Sequence, residues 1–89
     1  MGPTEQNIAD NIYVRRRMLW ISANGLGLLC KVTRQTVKRW ELGVGSPSYR
    51  SLPLIASALQ CQVADLLGPP PMPRSVSPVA RRQHRPKAS

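Results

Sequence analysis

Between Thr33 and Gly43 the chain reads TRQTVKRWELG, and Arg34, Gln35, Lys38 and Arg39 within it carry long side chains rich in hydrogen-bonding groups. In a helix, successive residues turn by about 100°. With Arg34 at zero, Lys38, Gln35 and Arg39 fall at about 40°, 100° and 140°, whereas Trp40 and Val37 fall at about 240° and 300°. The four polar residues therefore face away from the two apolar anchors. Arg or Lys can reach O6 and N7 of guanine bidentately, and Gln can pair with N6 and N7 of adenine. Such a face has the chemistry to read base edges in a DNA major groove. An ordinary solvated helix face carries the same residue types, so the rest of the chain has to decide between the two.

Charge favours the first reading. Thirteen Lys and Arg stand against four Asp and Glu in 89 residues, a net charge of +9. A chain this short spends nearly all its apolar residues on one small core, which argues against a large-pocket enzyme. His84 is its one histidine, no carboxylate pair is evident, and metal-ligand spacing is missing, so neither an active site nor a zinc site nor any cofactor is expected. Cys30 and Cys61 each lie in an apolar run, where a reduced, buried cysteine acts as a small hydrophobe. No run approaches the length of a membrane-spanning helix, and no charged-then-apolar leader opens the chain, so the protein is expected to be soluble and to stay inside a cell.

The elements that position the polar face follow from helical periodicity, which runs through residues 1–68 without a β-branched stretch that would suggest a strand. The expected fold is all-α, a compact bundle of about five short helices. Thr4 is expected to cap the first, with Ile8, Ile12 and Leu19 inward, and Ser22 to cap the second, with Leu26, Leu29 and Cys30 inward. Thr33 caps the third, and Gly43 closes it in a left-handed conformation. The fourth starts at Ser51, placing Pro53 in its first turn, and buries Leu52, Ile55, Ala56 and Leu59; a last turn, Gln62 to Leu67, buries Val63, Leu66 and Leu67. Lys31 and Val32 join helices two and three, so the two cross steeply and Gly27 supplies the close approach: a helix-turn-helix arrangement. Past Gly68, the run Pro69-Pro70-Pro71-Met72-Pro73 opens a segment, residues 69–89, with five basic residues and no acid, expected to be a disordered, proline-rich basic tail. A solvated terminus, a phosphate-binding arm and a partner-docking segment all remain open for it.

Ser22 through Gly43, SANGLGLLCKVTRQTVKRWELG, resembles the helix-turn-helix core of lambda-type phage repressors, Cro proteins and related bacterial regulators of the XRE type. That pattern runs Ser, polar residues, Leu-Ala, an apolar pair, Val-Ser/Thr, and a helix ending in Trp-Glu-x-Gly. The likeness extends through Pro47 and LPLIASALQCQVADLLG, over about residues 8–68. It implies base contacts for Arg34, Gln35 and Arg39, DNA-backbone contacts for Ser22, Thr33 and Arg50, and a structural ion pair between Arg16 and Glu41; Lys38, on the same face of the helix, is expected to join the base contacts and Thr36 the backbone contacts. The sequence departs from the pattern at Ala23, where the family commonly has a phosphate-clamping Gln, and at Gly25, a second glycine in helix two. Trp20 replaces a small residue, often Gly, and Leu28 a solvent-facing polar one; both are expected to be partly exposed.

One recognition helix reads only a handful of base pairs, so a homodimer on a palindromic operator is expected, joined through Val63–Leu67 or the preceding loop. The leading function is a sequence-specific DNA-binding transcriptional regulator acting on double-stranded DNA, a repressor from a phage, prophage or mobile element. The alternative is a DNA-binding antitoxin or adaptor whose basic tail docks a partner protein; the tail offers it only Met72, Val76 and Val79 as apolar anchors.

Overall fold

Five helices, α1 (Pro3–Met18), α2 (Ala23–Cys30), α3 (Arg34–Leu42), α4 (Ser51–Ala58) and α5 (Val63–Leu67), make up the computed structural model, which describes residues 2–75. No strand occurs among the described residues. Helix α1 packs on α3 and α5, α2 on α3 and α4, and α4 on α5. Ile8 and Ile12 of α1, Leu26 and Cys30 of α2, Val37 and Trp40 of α3, Ile55 of α4 and Leu66 of α5 meet in one core.

Local chemistry sets the helix starts. Ser22 Oγ accepts the Gly25 N–H at 2.9 Å and Thr33 Oγ1 the Thr36 N–H at 3.1 Å, satisfying one orphan donor at each helix start. Thr4 does not cap α1. Gly2 takes that position, and its N–H donates to Glu5 Oε1 at 2.9 Å, so Thr4 lies exposed inside the first turn. Pro53 stands third in α4, where its missing N–H has no intrahelical partner to lose.

The ends of α1 to α4 follow one plan. Ile21, Val32, Val44 and Cys61 each donate their N–H to the carbonyl five residues back, at 3.0, 2.8, 3.1 and 2.9 Å, the bond of a Schellman close. The left-handed residue before each is Trp20 (φ 62°), Lys31 (φ 62°), Gly43 (φ 73°) and Gln60 (φ 59°). Only one of the four is glycine.

Two expected core positions move outward, and two more reach only the edge of the core. Leu29 is 55% exposed: the buried arc of α2 runs through Ala23, Leu26, Gly27 and Cys30, and Leu29 falls outside it. Leu67 is partly exposed because Leu66 takes the inward position one residue earlier. Leu19 and Val63 are half-buried and pack against the core, as does Cys61; both cysteines are free thiols. In the other direction, Asn11 is fully buried. Its Nδ2 donates to Asn7 O, Leu66 O and Gly68 O, and Asn7 Nδ2 donates to Leu67 O, so α1 side chains satisfy the carbonyls at the end of α5.

The chain stays on the domain past Gly68. Arg74 Nη1 donates to Glu41 O at 2.6 Å and to Asp10 Oδ1 at 3.3 Å, with its guanidinium 4.4 Å from the Tyr13 ring centroid. Residues 69–74 thus form a strap across α1 to the end of α3. The basic residues Arg81, Arg82, Arg85 and Lys87, together with His84, Val76 and Val79, lie outside the described residues.

Candidate nucleic-acid interface

The turn between α2 and α3 requires Gly27. A Cβ there would sit 2.7 Å from Val32 O and 3.2 Å from Thr33 C, both backbone atoms, so any side chain would push α3 off α2. Lys31 makes the reversal in its left-handed conformation, and Val32 N–H closes α2 onto Gly27 O.

Helix α3 is locked from its inner side. Val37 is 0% and Trp40 6% exposed, both in the core. Glu41 is buried beside Arg16, which donates from Nε to Oε2 at 2.6 Å and from Nη2 to Oε1 at 3.2 Å. Arg16 Nη1 also donates to Ile21 O at 3.0 Å. This two-pronged pair joins α3 to α1 and to the segment entering α2, which fixes the roll of α3 about its axis.

The opposite side of α3 is open. Arg34, Gln35, Lys38 and Arg39 are all exposed. Thr33 is exposed at the cap, and its hydroxyl lies 3.0 Å from that of the half-buried Thr36. Ser22 is exposed at the start of α2, where unpaired N–H groups carry partial positive charge. Arg50 is exposed at the start of α4, across the loop from Gly43. Ala23 is buried and offers no polar group in place of the family's glutamine. Trp20 is 52% exposed and Leu28 72%.

Two features escaped the sequence reading. A cleft of about 430 Å³ lies between the end of α1 and the starts of α2 and α3, bordered by Arg17, Trp20, Ser22, Arg34 and Lys38. On the α1 side, Arg17 and Arg74 both approach the Tyr13 ring, at 5.0 and 4.4 Å. Only their separation in sequence, across 57 positions for Arg17 and Arg74, hid this grouping. Among the described residues, no group of three or more His, Cys, Asp and Glu is placed to hold a metal ion.

A compact helical pair, a glycine-dependent turn and a cationic second helix together match a helix-turn-helix family model over residues 15–66. The chain belongs to this helix-turn-helix family, of the lambda-repressor-like XRE type. Among solved structures, it is similar to hydroxypropylphosphonic acid epoxidase from S. wedmorenis, with 26% identity and a TM-score of 0.70 over 78% of this chain and 37% of that one. The crystal structure of FeII HppE is similar at 27% identity and a TM-score of 0.67, over 74% of this chain and 35% of that one. The chain thus spans little more than a third of these proteins, and the likeness carries the helical architecture alone. No curated protein matches the chain.

Proposed function

We propose that this helix-turn-helix protein is a sequence-specific regulator that inserts α3 into the major groove of double-stranded DNA. Arg34, Gln35, Lys38 and Arg39 read base edges, while Ser22, Thr33, Thr36 and Arg50 meet the phosphate backbone. One observation carries the reading: the four long polar side chains lie exposed on the side of α3 opposite Val37 and Trp40. The Arg16–Glu41 pair supports it, because it holds that face in one orientation at no expense of an exposed cation. Basic and amide tips on a rigid helix are what bidentate base recognition needs.

We further propose a homodimer on a palindromic operator, acting as a repressor of a phage, prophage or mobile element in the bacterial nucleoid. One helix contributes too few base contacts to select an operator alone. An apolar groove of about 480 Å³ bordered by Pro47, Tyr49, Leu52, Val63 and Leu67 supports a subunit contact in the region expected from sequence, and Tyr49 is 91% exposed there. No helix among the described residues is long and apolar enough to cross a membrane. The enzymatic chemistry named for the epoxidase stays with that longer protein.

Selection of bound sites from random duplexes tests the reading. The expected result is a two-fold-symmetric site with half-sites about one helical turn apart. Arg34→Ala and Gln35→Ala should each cost about 1–3 kcal/mol on that site and relax its sequence. Equal losses on the selected site and on random DNA would show that these side chains do not read bases.

A further inference from the structure

The apolar groove between α1, α4 and α5 differs in charge from the rest of the chain. Pro47, Tyr49, Leu52, Pro53 and Leu67 border its space of about 480 Å³ together with Glu5, and no Lys or Arg borders it. In a chain of +9, a surface whose one charged side chain is an acid complements a basic occupant. Glu5 is exposed, with one carboxylate oxygen on the Gly2 N–H. Asp10 and Glu41, by contrast, are matched within the fold to Arg74 and Arg16. Tyr49 is 91% exposed, so its ring contributes little to the core. An apolar groove with an aromatic ring on its border suits an extended, proline-containing segment.

One segment of this chain has the matching chemistry. Residues 76–82 read VSPVARR and follow directly on the described residues. At three residues per turn and about 3.1 Å per residue, the extended helix that proline favours would put Val76, Val79 and Arg82 on one edge, about 9 Å apart. Two apolar anchors and a cation in line complement an apolar groove bordered by a carboxylate. The strap decides whose segment it is. With Thr4 at zero, Ile8 and Glu5 fall at about 40° and 100° round α1, whereas Tyr13 and Asp10 fall at about 180° and 240°. The groove and the strap through Arg74 therefore lie on opposite faces of α1. Val76 is one step of at most about 3.6 Å past Ser75, and α1 with its side chains is about 10–12 Å across, so the segment does not reach the groove of its own chain.

We propose that the groove receives residues 76–82 of a second copy of this chain, with Val76 and Val79 against Tyr49, Leu52 and Leu67, and Arg82 at Glu5. Exchange in both directions makes a two-fold dimer. The inference rests on the homodimer reading above and names what crosses its subunit contact.

Sedimentation equilibrium of the full chain, alone and on the duplex obtained by site selection, tests this. The parent should dimerise. Tyr49→Ala, and Val76→Asp together with Val79→Asp, should each weaken the dimer about tenfold while keeping the helical signal of the parent. Combining all three substitutions should weaken it no further than either set alone, as for two sides of one contact. Glu5→Gln keeps an acceptor for the Gly2 N–H and should weaken the dimer about threefold. An unchanged dimer in any of these variants would overturn the proposal, and so would losses that add. If Tyr49→Ala weakens the dimer while the valine substitutions do not, the groove meets the folded part of the second copy and the exchange falls. Valine substitutions that tighten the dimer would mean that the segment covers its own groove, which also overturns it. If every variant dimerises as the parent does, the homodimer reading stands and the exchange falls. If the parent stays monomeric alone and binds the duplex as a single copy, both fall.

Discussion

Glu41 shows how one residue can set the position of others it never touches. Its carboxylate takes two donors from Arg16, and both side chains are almost fully buried. Removing one partner of such a pair leaves an unpaired buried charge, a loss of about 3–5 kcal/mol. Glu41→Ala should therefore lower the unfolding free energy measured in urea by that amount, far beyond the effect of Arg34→Ala at an exposed site; similar losses for the two would deny the pair its role in holding α3. The thiols make a second case. Burial pushes Cys30 above its ordinary 9.0, and burial, reinforced by Asp65 and opposed by Arg15, does the same for Cys61. The folded state then keeps these protons longer than the unfolded chain does. The associated stability is complete below pH 9.0 and is lost as pH rises through the folded values. Melting temperature should fall above that pH, and Cys30→Ala should fall less steeply, a comparison made by thermal scans across alkaline pH.

At the scale of elements, the helices that carry the interface were readable because their caps are side-chain chemistry. Ser22, Thr33 and Gly43 announce α2 and α3 in the sequence, and all three act as caps or closures in the structure. The remaining ends were opaque for a physical reason. Trp20, Lys31 and Gln60 adopt left-handed backbone that their side chains disfavour, held there by Schellman bonds formed after the helix ends. Thr4 misled because Gly2 and Glu5 cap α1 through a backbone N–H and a carboxylate. Asn11 was invisible because a buried amide serves carbonyls about 55 residues away, which helical spacing does not encode. The cationic face of α3 was legible from periodicity alone, whereas the cleft beside it draws residues from α1 that only the packing brings near. A clean test of the left-handed cost is available at the exposed Gln60. Gln60→Gly relieves a penalty of about 1 kcal/mol and should raise the denaturant midpoint correspondingly. A lower midpoint would mean the side chain contributes more than its backbone costs.

Across the whole molecule, the four acids are all engaged in holding the fold. Glu5 accepts the Gly2 N–H, Asp65 the Gln62 N–H, Asp10 the side chains of Gln6 and Arg74, and Glu41 that of Arg16. None stands on the exposed face of α3, so the charge of +9 is presented to a partner with little local opposition. The strap through Arg74 belongs to this arrangement. It occupies Asp10 and ties the last turn of α3 to α1, a role that composition concealed because Arg74 sits in a run of prolines. Two truncations separate this from the basic residues that follow. A chain ending at Ser75 keeps the strap and should unfold at the parent midpoint, yet bind DNA with a shallower salt dependence, because Arg81, Arg82, Arg85 and Lys87 are gone. A chain ending at Gly68 should lose about 1 kcal/mol more, the worth of a partly exposed arginine hydrogen bond, and bind more weakly still as Asp10 is released beside the recognition helix. If both truncations unfold at the same midpoint, Arg74 does not fasten the strap; if neither alters the salt slope, the terminal cations do not reach the duplex.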